Sequence, residues 1–539
     1  MKQHCYKPLL LKLEYFFLYS HLHSSLEAVM LHVVDEVLKT FSKKNVDYIT
    51  FITSLFVVIG LAFFILHDAE NTAILIQNYK DSVISVFGPV YLILTPFCFV
   101  FVLYLSASKL GKYKLGGKEA ETEFSTISWI GMLFCGGIGG GIIYWSGVEW
   151  GYYLDESLFG INPYSKESYA LSTAYGLFHW GISAWALYAI PAIALSVSFY
   201  KYNLNTLRLS SSLRGLGIKN VESSLIGRIV DFIFVVATIG AAGGTIGSYI
   251  PMLSTGFSNI FNLDGSFLVD LGVLGLCVGL FGYSVYRGLT NGIKRLSDIN
   301  MLLAGIFLIV VLFLGPTFEI IKSSFDGLIF MFSHFWQMST LGIKEQSDFA
   351  DTWTVFYWAW WVAFGPLVAL FIARISKGRT LREMILGMLI FGSLGSWLFY
   401  MILGGYSMSL DVNEILAVSQ ITDSTHGDTA IAVVHTMPFD TLMLLLFCGI
   451  TVIFVTTSYD SMSFVIAYHV QKNSLEKNDP GKYLRLFWAI VLGVLPAALI
   501  IYSSHQVALN VIILASLPLL FIYPLMAISV FKEISTKKN

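Results

Sequence analysis

The sequence predicts an all-α membrane protein of many spans, and three observations carry that prediction. Of its 539 residues 56% are hydrophobic and only 13% are charged, a balance too apolar for a soluble globular chain. Apolar runs longer than eighteen residues, long enough for a helix to cross a bilayer, recur throughout. The Lys and Arg residues also alternate between the loops, 29 on one side and 4 on the other, which is the asymmetry the positive-inside rule expects.

Taken in order, residues 1–47 read as a cytoplasmic leader, mixed polar and aromatic, without a signal-peptide cleavage pattern and with Met30 as an alternative start. Twelve apolar segments follow, at about 48–67, 86–106, 126–151, 169–200, 229–258, 267–287, 298–322, 352–376, 383–408, 436–469, 483–503 and 507–531. With an even count both termini are cytoplasmic. Only Lys80, Lys166, Lys322 and Lys344 then fall outside, and a missed or invented span would destroy that asymmetry. Residues 48–125 are read as two peripheral spans and a loop, 126–322 as segments 3–7, 323–351 as an extracytoplasmic linker, 352–531 as segments 8–12 and 532–539 as a short cytoplasmic tail.

Composition narrows the function classes. The net charge of −2 sits in the loops, and no nucleic-acid partner is expected. The five cysteines, Cys5, Cys98, Cys135, Cys277 and Cys448, have neither metal nor disulfide spacing. With no nucleophile paired to a base and no phosphate loop, the chain is not expected to be an enzyme or to hold an organic cofactor.

The stretch from Trp353 to Thr380, WTVFYWAWWVAFGPLVALFIARISKGRT, organises the rest. Its tryptophans could form an interfacial belt, and Gly365-Pro366 could simply kink a helix. Alternatively Trp358 and Trp361 share a face, an interruption at Gly365-Pro366 opens a pocket, and stacked rings at mid-depth cage a cation. Segment 4 contributes HWGISAWALYAIP, in which Trp180, Trp185 and Tyr188 lie within an arc of about 140°. His179 beside them is either a ligand or relay group or a hydrogen-bonded structural residue.

Segment 3 contains CGGIGGG, Cys135 to Gly141. Small residues allow close helix contact, yet so much glycine also favours local unwinding, with carbonyls freed for an ion and N–H groups for an anion. Segment 10 carries FVTTSYDSMS, with Phe454, Thr457 and Ser458 on one turn. Its hydroxyls either bond back to their own helix or serve a hard cation. Because segment 8 follows segment 3 by five spans, segments 3–7 and 8–12 can form an inverted repeat whose interrupted first helices meet near the midplane.

The strings HWGISAWALYAI, GIKRLSDINMLLA, WTVFYWAWWVAFGPLVALFIARISKGRTLRE and VTTSYDS resemble, in order and spacing, signature segments of the betaine/choline/carnitine transporter family, over roughly residues 48–531. The resemblance implies a LeuT-like five-plus-five inverted repeat, secondary transport of quaternary-ammonium or related onium solutes across the cytoplasmic membrane, and a homotrimer. It implies an aromatic box of Trp180, Trp185, Tyr188 and Trp361, with Trp358 and Trp360 nearby. It also implies a site for sodium, the expected coupling ion, made by the carbonyls of Cys135, Ile138 and Phe454 and the hydroxyls of Thr457 and Ser458.

Several positions depart from the family pattern. Gly140 replaces a larger apolar residue, Glu149-Trp150 a Glu-Pro, Leu367 an aromatic and Phe364 a box tryptophan, while Thr238 is kept and Ala242 replaces a hydroxyl residue, so a second sodium site is in doubt. Gly141 stands where choline-type members place an aspartate, and no acidic residue occurs between Cys135 and Val148. Glu149, two turns on, is assigned a structural or gating role. A bare cation in a low-dielectric site keeps a large desolvation cost. A zwitterion brings its own carboxylate, which N–H groups around Gly139, Gly140 and Gly141 can receive. The expectation is therefore a carrier of glycine betaine, carnitine or dimethylsulfoniopropionate type, with Gly140 leaving room for a bulkier solute. Choline uptake, proton-coupled or exchange transport, and a non-transporting solute sensor are the alternatives.

Overall fold

A computed structural model describes residues 41, 46–136, 139–204, 207–218, 220–265, 267–287, 293–343, 346–421, 426–471, 480–501 and 505–535. Its elements are α1 (Tyr48–His67), α2 (Ala69–Ala107), α3 (Thr126–Gly136), α4 (Gly140–Trp145), α5 (Lys166–Trp180), α6 (Ile182–Lys201), α7 (Leu225–Phe261), α8 (Phe267–Arg287), α9 (Ile293–Leu314), α10 (Thr317–Thr340), α11 (Val355–Ile375), α12 (Leu381–Val412, with two π-turns), α13 (His426–His435), α14 (Asp440–His469), α15 (Lys482–Ile501) and α16 (His505–Ser535). Among the described residues β pairing is confined to two isolated bridges, Val46 with Gln471 and Lys114 with Thr380. The all-α polytopic membrane class is thus observed directly.

Among the described residues eleven helical stretches are long and apolar enough to cross a membrane. Segment 3 is not in that set: α3 is described as far as Gly136, the backbone is extended at Gly139, and α4 begins at Gly140. Two other stretches are more helical than their sequence suggests. Helix α2 begins at Ala69, capped by the Asp68 side chain accepting from the Asn71 N–H, so residues 69–85 extend the second span. Helix α10 occupies much of the stretch read as a linker and packs along α5. The Gly315-Pro316 pair separates it from α9, as expected where proline disfavours helix in the residue before it.

Burial sorts the helices into a centre and a sheath. In the most apolar window of the α5–α6 stretch 89% of residues are buried, and for 350–375 the figure is 78%, against 33% for α1 and 28% for α8. Helices α6 and α11 lie against each other at the middle. The outer helices instead expose Phe56, Phe63, Leu268 and Phe313, the large apolar side chains a lipid-facing surface carries.

The basic loops gather at one end. Lys114 pairs with Thr380, Arg382 donates to the Ser106 carbonyl at 2.7 Å, and Lys201 donates to the Glu533 carbonyl at 2.7 Å. Tyr200 ties this group to α11 through the Ala373 carbonyl at 2.9 Å, and Asp47 N–H reaches Val470 O at 2.7 Å. Among the described residues the basic loops after segments 2, 4 and 8 and the end of α16 therefore lie together, and the residue before α1 lies against the end of α14. Most of the leader and residues 536–539 lie outside the described residues.

Candidate substrate site

The central tryptophans meet where segment 4 breaks. Helix α5 ends at Trp180, α6 starts at Ile182, and Gly181 lies between them. A helix end leaves carbonyls without intrahelical partners, and here two indoles supply them. Trp397 Nε1 donates to Leu177 O at 2.8 Å, and Trp361 Nε1 donates to His179 O at 2.8 Å. A side chain at Gly181 would collide with Trp397, so the glycine makes room for its own cap.

Segment 8, by contrast, is not interrupted at Gly365-Pro366, and this corrects the expected pocket-forming break. Helix α11 runs through Pro366. The ring removes the N–H that would bond the Val362 carbonyl, and the Tyr523 hydroxyl comes within 3.4 Å of that oxygen instead. Gly365 allows this approach, since a Cβ there would collide with the Tyr523 hydroxyl.

Trp180 and Trp361 are edge-to-face with centroids 4.7 Å apart and planes at 74°. Trp360 stacks on Trp361 at 5.2 Å and 8°, and lies 5.6 Å from Trp180. Tyr188 stands edge-on to Trp361 at 5.9 Å and to Trp185 at 5.6 Å. Among the described residues Trp185 joins the cluster through Tyr188; its indole lies over Gly392 of α12, where a Cβ would collide with it. Trp358 sits apart. Its ring neighbours are Phe178 at 5.4 Å and His179 at 5.6 Å, so the face expected to unite Trp358 with Trp361 divides around the end of α5.

Two residues the sequence reading did not place in the site are central to it. Glu149 is fully buried and accepts from Tyr153 Oη at 2.7 Å, from Trp180 Nε1 at 2.9 Å and from the Tyr400 hydroxyl. It lies on a short 3₁₀ turn, Glu149–Tyr153, which brings a carboxylate to Trp180 in spite of its distance along the chain from the glycine motif. Tyr400 also packs 5.5 Å from Trp180. No spacing pattern in the sequence points to Tyr400, 220 residues from Trp180; Glu149 carries only the signal of an acid in an apolar segment.

His179 is hydrogen-bonded within the core, the geometry its structural reading expects. Its ring is buried and stacks on Tyr357 at 4.6 Å, with Nε2 3.2 Å from Thr354 Oγ1 and Nδ1 3.4 Å from Tyr153 Oη.

At the glycine motif, Gly139, Gly140 and Gly141 lead into α4. A Cβ on Gly139 would meet nothing within 4 Å, whereas one on Gly140 would touch Tyr249 Cε2 at 3.0 Å. On Gly141 it would stand 2.8 Å from Trp180 Cη2 and 3.3 Å from Trp360 Cη2. Gly141 therefore borders the tryptophan cluster directly. The expected ion ligands are only partly visible: Ile138 lies outside the described residues, and of Cys135 only its place in α3 is described. Phe454, Thr457 and Ser458 lie on α14, which packs against α4. Thr457 Oγ1 donates to Ile453 O at 2.9 Å and Phe454 O at 3.1 Å. The hydroxyl is thus back-bonded, and its lone pairs remain free to face a cation.

A buried aromatic centre beside a broken glycine-rich helix, sheathed in apolar helices, defines a multi-pass membrane protein. Comparison with known sequences makes this specific. The model of the BCCT family, the betaine/carnitine/choline family of transporters, matches residues 49–539, and the chain belongs to that family. It is 33% identical to an uncharacterized Escherichia coli transporter, YeaV, with 78% of this chain and 88% of the relative covered. To a carnitine transporter of Acinetobacter baumannii it is 33% identical, covering 85% and 83%, and to the glycine betaine transporter OpuD of Bacillus subtilis 31%, covering 86% and 90%.

Proposed function

We propose that this transporter imports a zwitterionic quaternary-ammonium or sulfonium solute of the glycine betaine, carnitine or dimethylsulfoniopropionate type, coupled to sodium. The observation that carries the reading is the state of Glu149. It is the carboxylate beside the tryptophan cluster, and its oxygens already accept three hydrogen bonds from Tyr153, Trp180 and Tyr400. A carboxylate so engaged is committed to holding Trp180 in place, while the solute's own carboxylate would be received at Gly139, Gly140 and Gly141, away from Glu149 along the chain, which favours a solute carrying its own anion. Trp180, Trp360, Trp361 and Tyr188 supply faces for the onium head.

Trp180 and Trp361 touch edge to face, so the head group enters between them only when the two rings part. Opening and closing that pair is a natural component of alternating access, with segments 3–7 and 8–12 as the inverted halves. Thr457, Ser458 and the carbonyls of Cys135, Ile138 and Phe454 are the proposed sodium ligands, and a homotrimer in the cytoplasmic membrane, both termini inside, is the proposed assembly.

Saturable uptake into proteoliposomes, measured for each zwitterion and for choline with and without a sodium gradient, tests this reading. A zwitterion with the highest kcat/KM and sodium-dependent accumulation is expected. Choline in first place would overturn the substrate class, uptake indifferent to sodium would overturn the coupling, and binding without accumulation would identify a sensor.

A further inference from the structure

Helix α7 brings Tyr249 to the border between Gly141 and the tryptophans. Its ring is 2% exposed, packs against Tyr144 at 5.0 Å and 39°, and covers Gly140. The point where a Gly141 Cβ would lie is 2.7 Å from the Tyr249 hydroxyl, 2.8 Å from Trp180 Cη2 and 3.3 Å from Trp360 Cη2. A phenol and the outer edges of two indoles therefore converge on Gly141, and only a residue without a Cβ lets them close in this far.

The Tyr249 hydroxyl has no hydrogen-bond partner among the described residues. Buried polar groups are nearly always paired, and an orphan calls for a specific explanation. Here the surroundings suggest one. The edge of an aromatic ring is positive and its face negative, so the indole edges at this spot favour an anion while the faces further in favour a cation. Trp180 is held in this orientation from its other end, where Nε1 donates to Glu149.

Building on the zwitterion reading above, we infer that the Tyr249 hydroxyl donates a hydrogen bond to the carboxylate of the bound solute and so selects zwitterions over simple cations. The two ends of the solute are sorted by the same pair of tryptophans: the onium head lies over ring faces, and the carboxylate lies at the ring edges beside Tyr249. A hydrogen bond to a charged acceptor is stronger than one between neutral groups, and it is available only to a substrate that has the acceptor.

The test is Tyr249→Phe in the full-length reconstituted transporter, which removes one oxygen and leaves the ring packing intact. Uptake of glycine betaine and carnitine is measured alongside inhibition of that uptake by choline. A roughly tenfold rise in KM for the zwitterions, with the inhibition constant of choline little changed, is the expected result. An unchanged zwitterion KM, or equal weakening of zwitterion and choline binding, overturns the inference. If wild-type protein itself prefers choline, the underlying substrate reading fails before the variant is considered, and the inference fails with it. Should Tyr249→Phe not fold, Tyr249→Gln decides the matter: it keeps an N–H donor, and loss of zwitterion preference in that variant overturns the assignment.

Discussion

Trp180 donates its indole N–H to Glu149 Oε2 at 2.9 Å while its opposite edge, Cη2, points at Gly141. One side chain thereby joins a buried carboxylate to the glycine-rich break, and Trp361 packs across its ring. Replacing Glu149 with leucine leaves the donors of Tyr153, Trp180 and Tyr400 without their acceptor, and each unsatisfied buried group costs about 1–3 kcal/mol. Glu149→Leu is expected to lower the melting temperature in detergent and to abolish saturable uptake. Glu149→Gln should be milder, because its amide oxygen still accepts and the tyrosine hydroxyls can rotate. A leucine variant with wild-type melting and uptake would contradict this.

The tryptophans should separate by function. A desolvated cation over an aromatic face is worth about 2 kcal/mol, so Trp361→Leu should weaken substrate binding roughly thirtyfold. Trp358, packed on Phe178 and His179, should behave as a core residue. Its replacement by leucine should lower stability while KM stays near the wild-type value. Uptake kinetics and thermal unfolding of both variants decide it, and a larger KM effect at Trp358 than at Trp361 would reverse the assignment.

The sequence made some of this legible for identifiable reasons. Bilayer length is a local property, so the membrane class follows from composition, and the meeting of the basic loops after segments 2, 4 and 8 agrees with their charge. The meeting of Trp180 with Trp361 was foreshadowed by the ring arc on segment 4 and the tryptophans of segment 8. The break at Gly181 was not, because it depends on Trp397 and Trp361 donating to carbonyls of a helix far away in the chain. The proline of segment 8 misled for the converse reason: Tyr523, 157 residues later, reaches the carbonyl that Pro366 leaves free. Tyr249 carries no motif at all; its position becomes informative only beside Gly141.

That repair of α11 gives a stability prediction. Gly365→Ala drives a methyl group into the Tyr523 hydroxyl, and overpacking of a filled core costs about 1–3 kcal/mol. Tyr523→Phe alone should cost about 1 kcal/mol. Because the two act on one contact, Gly365→Ala should be less damaging in the Tyr523→Phe background, a non-additivity that a double-mutant cycle of unfolding free energies measures. Strict additivity would show that the hydroxyl is not the obstacle.

At the proposed ion site the hydroxyl of Thr457 is bonded back to its own helix, so alanine there should barely disturb the fold. Thr457→Ala combined with Ser458→Ala is expected to leave melting close to wild type while uptake loses its response to sodium or disappears. Sodium-stimulated uptake of wild-type magnitude in the double variant would place the ion elsewhere.

Recognition of positive charge by the ring faces is open to test with a carbon isostere. Glycine betaine and 3,3-dimethylbutanoate share shape and carboxylate and differ in the replacement of the quaternary nitrogen by carbon. Their inhibition constants against labelled carnitine or betaine uptake, measured in the same proteoliposomes, isolate the charge. The isostere is expected to inhibit roughly thirtyfold more weakly, or not at all, as the loss of a desolvated cation–π interaction requires. Equal inhibition by the two compounds would show that Trp180, Trp360 and Trp361 bind by shape and apolar contact alone, and would contradict the claim.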